Sequence, residues 1–296
     1  MKSNEKFSRR FALKSLAGGA ALSAAAMLPG GVVEAFELED MHLKGNINHS
    51  VCKWCYGDIP LEDLCKAAKA MGIQSVELMG PDEWPVIQKH GLTCALPWGA
   101  GKGIAEGFNN PKLHDELVKS FEEVIPKAAK AGLSQIICFS GNRNGMDDET
   151  GLKNCADALK RLMKTAEKYK VTMTMELLNS KRDHKDYMCD HTKWGVELCK
   201  MVGSDKFKLL YDIYHMQIME GDVVATIKEF HPYINHYHTG GVPGRNEIDE
   251  TQELNYPLIM QAIKETGYKG FVAQEFIPKR ADKLASLKQS IGICDI

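Results

Sequence analysis

Residues 154–179 read NCADALKRLMKTAEKYKVTMTMELLN, and the period of the pattern changes partway along. Through Tyr169 the apolar side chains fall at Ala158, Leu159, Leu162, Met163 and Ala166. That spacing puts them on one face of a helix. From Thr172 to Leu177 the chain is a short β-type run, the length of a buried strand. A helical stripe feeding such a strand is one half-turn of an alternating α/β fold.

The same unit recurs along the chain. β-type runs appear at 49–54, 75–79, 93–97, 135–139, 172–177, 208–213, 234–238 and 271–276, with helical patterns between them. Glycine follows the helical pattern at Gly72, Gly91, Gly132, Gly203 and Gly267, as a left-handed C-terminal cap requires. Eight strands alternating with helices predict a parallel sheet, and eight closes a (β/α)8 TIM barrel. An open doubly wound sheet would carry G-x-G-x-x-G after its first strand, and the chain has none. Gly99, Gly101 and Gly103 lie in a polar loop.

The net charge of −2 is spread evenly and no Lys/Arg-rich block occurs, which excludes a phosphate-tracking surface and hence nucleic acid as a partner. The N-terminus stands apart. Ser8-Arg9-Arg10-Phe11-Ala12-Leu13-Lys14 precedes a small, apolar stretch from Ser15 to Leu28. This is shorter than the ~20 residues of a membrane span. Residues 1–35 are therefore expected to be a twin-arginine-type export signal. Residues 36–296 then form a single catalytic barrel in the periplasm, with no stable membrane insertion once the signal is removed. Barrels of this size often form homodimers, although no segment of the sequence marks an interface.

Catalytic groups in such barrels project from the C-terminal ends of the strands. The last four runs each carry one ionisable residue among apolar neighbours: Glu176, Asp212, His238 and Glu275. A charge placed there loses several kcal/mol of hydration unless it is paired or metal-bound. Four on consecutive strands at one end converge, so they are expected to hold one divalent ion. Three carboxylates and an imidazole suit Mn²⁺, Mg²⁺ or Co²⁺.

These residues also carry a resemblance. Glu176-x-x-Asn179, Asp212-x-x-His215, His238 followed by Pro243-Gly244-Arg245, and Glu275 resemble the sugar phosphate isomerase/epimerase superfamily, whose members are xylose isomerase-like barrels. The stretch GVPGRNEIDETQELNYP (residues 241–257) is most similar to its hydroxypyruvate isomerase branch, whereas His238 looks more like the epimerase and xylose isomerase branches. The resemblance implies that Glu176 and Glu275 bind metal and serve as the acid/base pair, with Asp212 and His238 completing the ligands. It implies that His215 and Arg245 hold substrate oxygens. The expected substrate is a small sugar or hydroxy-keto acid. Its α-hydroxy-carbonyl group would be isomerised through an enediolate, by removal of a carbon-bound proton and its return to the neighbouring carbon. A ketose 3-epimerase, a dehydratase or a non-catalytic sugar binder are the alternatives on the same scaffold.

Other residues carry weaker expectations. Glu77 ends the second run and is expected either to reach the substrate or to pair with a neighbouring element. Trp54 and Trp98 are expected to wall the pocket or to pack in the core. Arg182 and His184 lie in the loop after the fifth run, where solvated residues are the default, and Lys53 is placed at the pocket entrance. His114, His191 and His231 read as surface groups. Cys52-x-x-Cys55 ends the first strand rather than opening a long helix, so packing or a reversible disulfide is favoured over a redox site.

Overall fold

The computed structural model describes residues 42–296, so the expected export signal lies outside the described residues. Among the described residues seven strands form one sheet: β1 (Asn48–Cys52), β2 (Ser75–Glu77), β3 (Gln135–Cys138), β4 (Thr172–Glu176), β5 (Phe207–Asp212), β6 (Ile234–Thr239) and β7 (Phe271–Gln274). Every pairing is parallel, in the order β2-β1-β7-β6-β5-β4-β3. Side chains on these strands are almost entirely buried, as a parallel sheet covered by helices demands.

The run at 93–97, expected as a full strand, fills the gap between β2 and β3 without forming a regular ladder. Val76 donates its N–H to Thr93 O, and Leu78 donates to Leu96 O. Two steps on β2 thus face three on its neighbour, the signature of a bulge. The Ala95 N–H goes to the Ser75 hydroxyl (2.8 Å) rather than to a carbonyl. On the other side Ile137 donates to Pro97 O, while Pro97 has no N–H to offer in return. The segment closes the circle, and the architecture is a (β/α)8 TIM barrel whose third strand position is irregular.

The outer layer is α1 (Leu61–Ala70), α2 (Trp84–Lys89), α3 (His114–Lys130), α4 (Asp148–Tyr169), α5 (Thr192–Val202), α6 (Ile213–Met219), α7 (Val223–Phe230), α8 (Tyr256–Glu265) and α9 (Lys283–Cys294). The stripe Ala158, Leu159, Leu162, Met163, Ala166 is the buried face of α4. Asp147, Asn255 and Asp282 cap α4, α8 and α9 by accepting backbone N–H groups. All five stop glycines have positive φ, between 69° and 80°.

Two glycines set the loop over β3. Residues 105–109 lie along 139–142, with Phe108 N–H to Phe139 O and Asn142 N–H to Ala105 O. A Cβ on Gly107 would stand 2.3 Å from Gly141 N and 2.4 Å from Phe139 O. Backbone on both sides cannot yield. Gly107→Ala is expected to cost about 3 kcal/mol, lowering Tm by about 6–12 °C in calorimetry.

At the opposite end of β1, His49 is fully buried and neither ring nitrogen has a hydrogen-bond partner. Burial pulls its pKa down to about 4, against a weaker upward pull from Asp295. The folded value lies below the unfolded one, so its contribution is complete above about pH 6.5 and is lost as pH falls through 4. Urea titrations are expected to show about 3 kcal/mol of stability lost across that window. That loss should be absent in His49→Gln.

Candidate metal centre

Glu176 closes β4, Asp212 closes β5, His238 is the last residue but one of β6, and Glu275 follows β7 directly. Asp212 and His238 are direct neighbours across the sheet. All four are buried, and a ligand atom from each lies within 4.8 Å of the other three. His238 Nδ1 is 2.7 Å from Glu275 Oε2 and 3.5 Å from Glu176 Oε1. The Arg245 guanidinium reaches Glu275 Oε2 at 2.7 Å and Asp212 Oδ2 at 3.6 Å.

Local sequence explains how each group is aimed. Asp212 is both the end of β5 and the N-cap of α6, and its Oδ1 accepts the His215 N–H at 3.0 Å. The Asp-x-x-His spacing is therefore a capping interval, and it leaves Oδ2 facing inward. Asn179 donates to His215 Nδ1 at 2.6 Å, which leaves the His215 proton on Nε2, 3.7 Å from Asp212 Oδ2. Arg245 sits in a left-handed backbone conformation (φ 58°) after Gly244. Its guanidinium lies 5.0 Å from the Trp54 ring and 5.4 Å from the Tyr214 ring, a cation–π arrangement. Trp54 Nε1 donates to Glu275 Oε1 at 2.8 Å.

The electrostatics are unbalanced. Burial pushes the Glu176 carboxyl up and the Asp212 carboxyl far up. The same burial acts on Glu275, yet His238 and Arg245 overcome it and hold that carboxyl well below the usual range. The nearby cations thus serve Glu275, and the other two carboxylates lack their share. Glu176 Oε1, Asp212 Oδ2, His215 Nε2 and Arg245 Nε are buried without a hydrogen-bond partner. Orphaned oxygens around three carboxylates and an imidazole fit a hard divalent cation.

Beneath this layer, Glu77 Oε1 is 3.3 Å from His238 Nε2 and 3.0 Å from His236 Nε2. Glu77 is fully buried and does not line the cavity. It pairs with both histidines and so braces His238 from below. A carboxylate on Nε2 keeps the proton there and leaves Nδ1 facing the ligand cluster.

A cavity of about 340 Å³ opens over the cluster, lined by Trp54, Trp98 and His184 among others, together with Glu176, Arg245 and Glu275. His215, Asp212 and His238 are fully buried and are not among the residues that line it. Arg182 is exposed and only its backbone bonds Asn179. Lys53 turns back onto Tyr56 O (3.1 Å) and lines no part of the cavity, because the chain after β1 coils into a 3₁₀ turn where an extended strand end was expected. His231 is exposed and His191 pairs with Asp190, whereas His114 holds Phe108 O. Cys52 and Cys55 are buried free thiols, and Cys52 Sγ is 3.9 Å from His238 Nε2. Two partners escaped the sequence reading. Trp54 hydrogen-bonds Glu275 across 221 positions, and Tyr214 bonds Asp183, which in turn accepts from Asn179.

A family model described as xylose isomerase-like TIM barrel matches residues 65–293. The 2-oxo-tetronate isomerase of Cupriavidus necator is 30% identical over 257 residues, covering 80% of this chain and 95% of that one. The hydroxypyruvate isomerase of Escherichia coli is 29% identical over 232 residues, covering 72% and 86%. Among solved structures, a family 2 AP endonuclease from Brucella melitensis superposes with a TM-score of 0.72 at 22% identity, covering 81% and 96%. The chain belongs to the xylose isomerase-like TIM barrel family and is an enzyme of its isomerase kind.

Proposed function

We propose that the chain is a divalent-metal-dependent isomerase of a small α-hydroxy-carbonyl compound, with Glu176 and Glu275 as its acid/base pair. One observation carries the reading: four ligand-type groups from four consecutive strands bring their atoms within 4.8 Å of one another beneath an open cavity. Glu176, Asp212, His238 and Glu275 would hold the ion. It would supply positive charge to the carbonyl and hydroxyl oxygens of the substrate.

The chain's own residues would do the rest. One glutamate takes the carbon-bound proton and a glutamate returns it to the adjacent carbon, while the hydroxyl proton passes to the former carbonyl oxygen, so no atom is gained or lost. His215, its proton held on Nε2 by Asn179, donates to a substrate oxygen. Arg245, braced between Trp54 and Tyr214, fixes a second oxygen. The hydroxy-keto acid names of the relatives support a substrate of that kind, and hydroxypyruvate is the first candidate. Proton NMR in D₂O tests this. Deuterium should enter the carbon next to the carbonyl of hydroxypyruvate only with added Mg²⁺ or Mn²⁺, and EDTA should stop it. Release of water would instead identify a dehydratase, and inversion at one carbon an epimerase. Export through residues 1–35 is part of the same proposal. Mass spectrometry of periplasmic protein should find a mature chain starting near Phe36.

A further inference from the structure

Beneath the ligand cluster the barrel holds a second set of donors, drawn from three strands. Cys52 closes β1 and Glu77 closes β2, and the two are direct neighbours across the sheet. His236 and His238 are two apart on β6, so they share its inner face. All four side chains are fully buried. Glu77 Oε1 lies 3.0 Å from His236 Nε2 and 3.3 Å from His238 Nε2. Cys52 Sγ lies 3.8 Å from the same Oε1 and 3.9 Å from the same Nε2. Glu77, His236 and His238 each bring a ligand atom within 4.8 Å of the other two.

This is more than a brace for His238 requires. One carboxylate oxygen would fix its tautomer, yet a second imidazole and a thiol crowd the same oxygen. Glu77 Oε2, meanwhile, is buried without a hydrogen-bond partner, which costs the desolvation of a charged acceptor. The spacing is that of coordination. Tetrahedral bonds of about 2.0–2.3 Å to oxygen, nitrogen and sulfur set the donors roughly 3.3–3.6 Å apart. The four separations, from 3.0 to 3.9 Å, bracket that range. A thiolate and a carboxylate together also neutralise a divalent ion in a site sealed from water. Donor type separates this set from the one above it. Three carboxylates and one imidazole suit a hard cation, whereas a thiolate, two imidazoles and one carboxylate suit a thiophilic one.

We infer that Cys52, Glu77, His236 and His238 form a second cation site, selective for a thiophilic divalent ion such as Zn²⁺ or Cd²⁺. On binding, the Cys52 thiol proton leaves to solvent and the His238 proton moves from Nε2 to Nδ1. Nδ1 is the atom that faces Glu176 and Glu275. Filling the lower site therefore takes the imidazole donor from the upper cluster, which then holds its hard ion more weakly. The competition rests on the metal reading above; the lower site does not.

Cd²⁺ is the probe, because its bond to a thiolate gives an ultraviolet charge-transfer band that carboxylate ligation lacks. The metal-stripped mature chain is refolded from urea with Cd²⁺ under a phosphine reductant, since all four donors are buried. The thiolate band is expected in the wild type and in Glu176→Gln, and is expected to vanish in Cys52→Ser. His236→Gln is expected to weaken Cd²⁺ binding on the order of 100-fold, the upper end of what losing an outer partner costs. No band in the wild type overturns the inference. A band that survives in Cys52→Ser belongs to another cysteine and overturns it too. Unchanged affinity in His236→Gln also overturns it, and points to an ion held by Cys52, His238 and Glu275, whose ligand atoms also lie within 4.8 Å of one another. Electron paramagnetic resonance then reads free Mn²⁺. One equivalent of Cd²⁺ is expected to release bound Mn²⁺ from the wild type but not from Cys52→Ser. Equal release from both overturns the competition for His238. Mn²⁺ that never binds overturns the hard-ion reading, and the thiolate band and its response to His236→Gln still decide the lower site.

Discussion

Glu275→Gln is expected to lower turnover by about 10³-fold while the barrel stays folded, and Glu176→Gln to do the same. Glutamine keeps the shape of the side chain but cannot take a proton. The two variants should part company in stability. Glu275 carries the charge that answers His238 (2.7 Å) and Arg245 (2.7 Å). Neutralising it removes the shortest ion pair of each of two buried cations and should cost about 3 kcal/mol. Glu176 is already pushed toward its neutral form by burial and by the neighbouring Glu275, so its amide should cost the metal-free protein little or nothing. Steady-state exchange rates and urea midpoints measured on both variants check the pair of outcomes. Retained turnover in either one sinks the two-carboxylate mechanism.

Removal of divalent ions is expected to abolish exchange, and their return to stabilise the fold. An ion that binds only the folded chain contributes about 2.7 kcal/mol at a hundredfold excess over its Kd. For a chain of this length that corresponds to a rise in Tm of about 5–10 °C. The rise should depend on metal concentration and vanish in Asp212→Asn, whose Oδ2 is one of the orphaned oxygens. Scanning calorimetry after EDTA treatment, with Mn²⁺ added back stepwise, measures it. A Tm indifferent to metal would remove the ion from this cluster.

The parts of the site legible in the sequence share one property. Glu176, Asp212, His238 and Glu275 are each a polar residue at the end of an apolar run. That local contrast is visible without knowing what lies opposite. The Asp212–His215 interval is local as well, being a capping interval of three residues. Glu77 shows the same contrast, yet its role could not be read the same way. What decides between substrate contact and a brace under His238 is the partner, and His236 stands 159 positions away.

The chain's own pattern determined the barrel, its eight-fold alternation, the glycine stops and the four inward groups on the last strands. Period, capping and buried charge are written within a few residues of each position. Tertiary structure alone decided that the 93–97 segment would bulge, that Trp54 would bond Glu275, and that Arg245 would lie between Trp54 and Tyr214. Those outcomes depend on which strands become neighbours when the sheet closes, and closure joins residues as far as 221 positions apart in the chain.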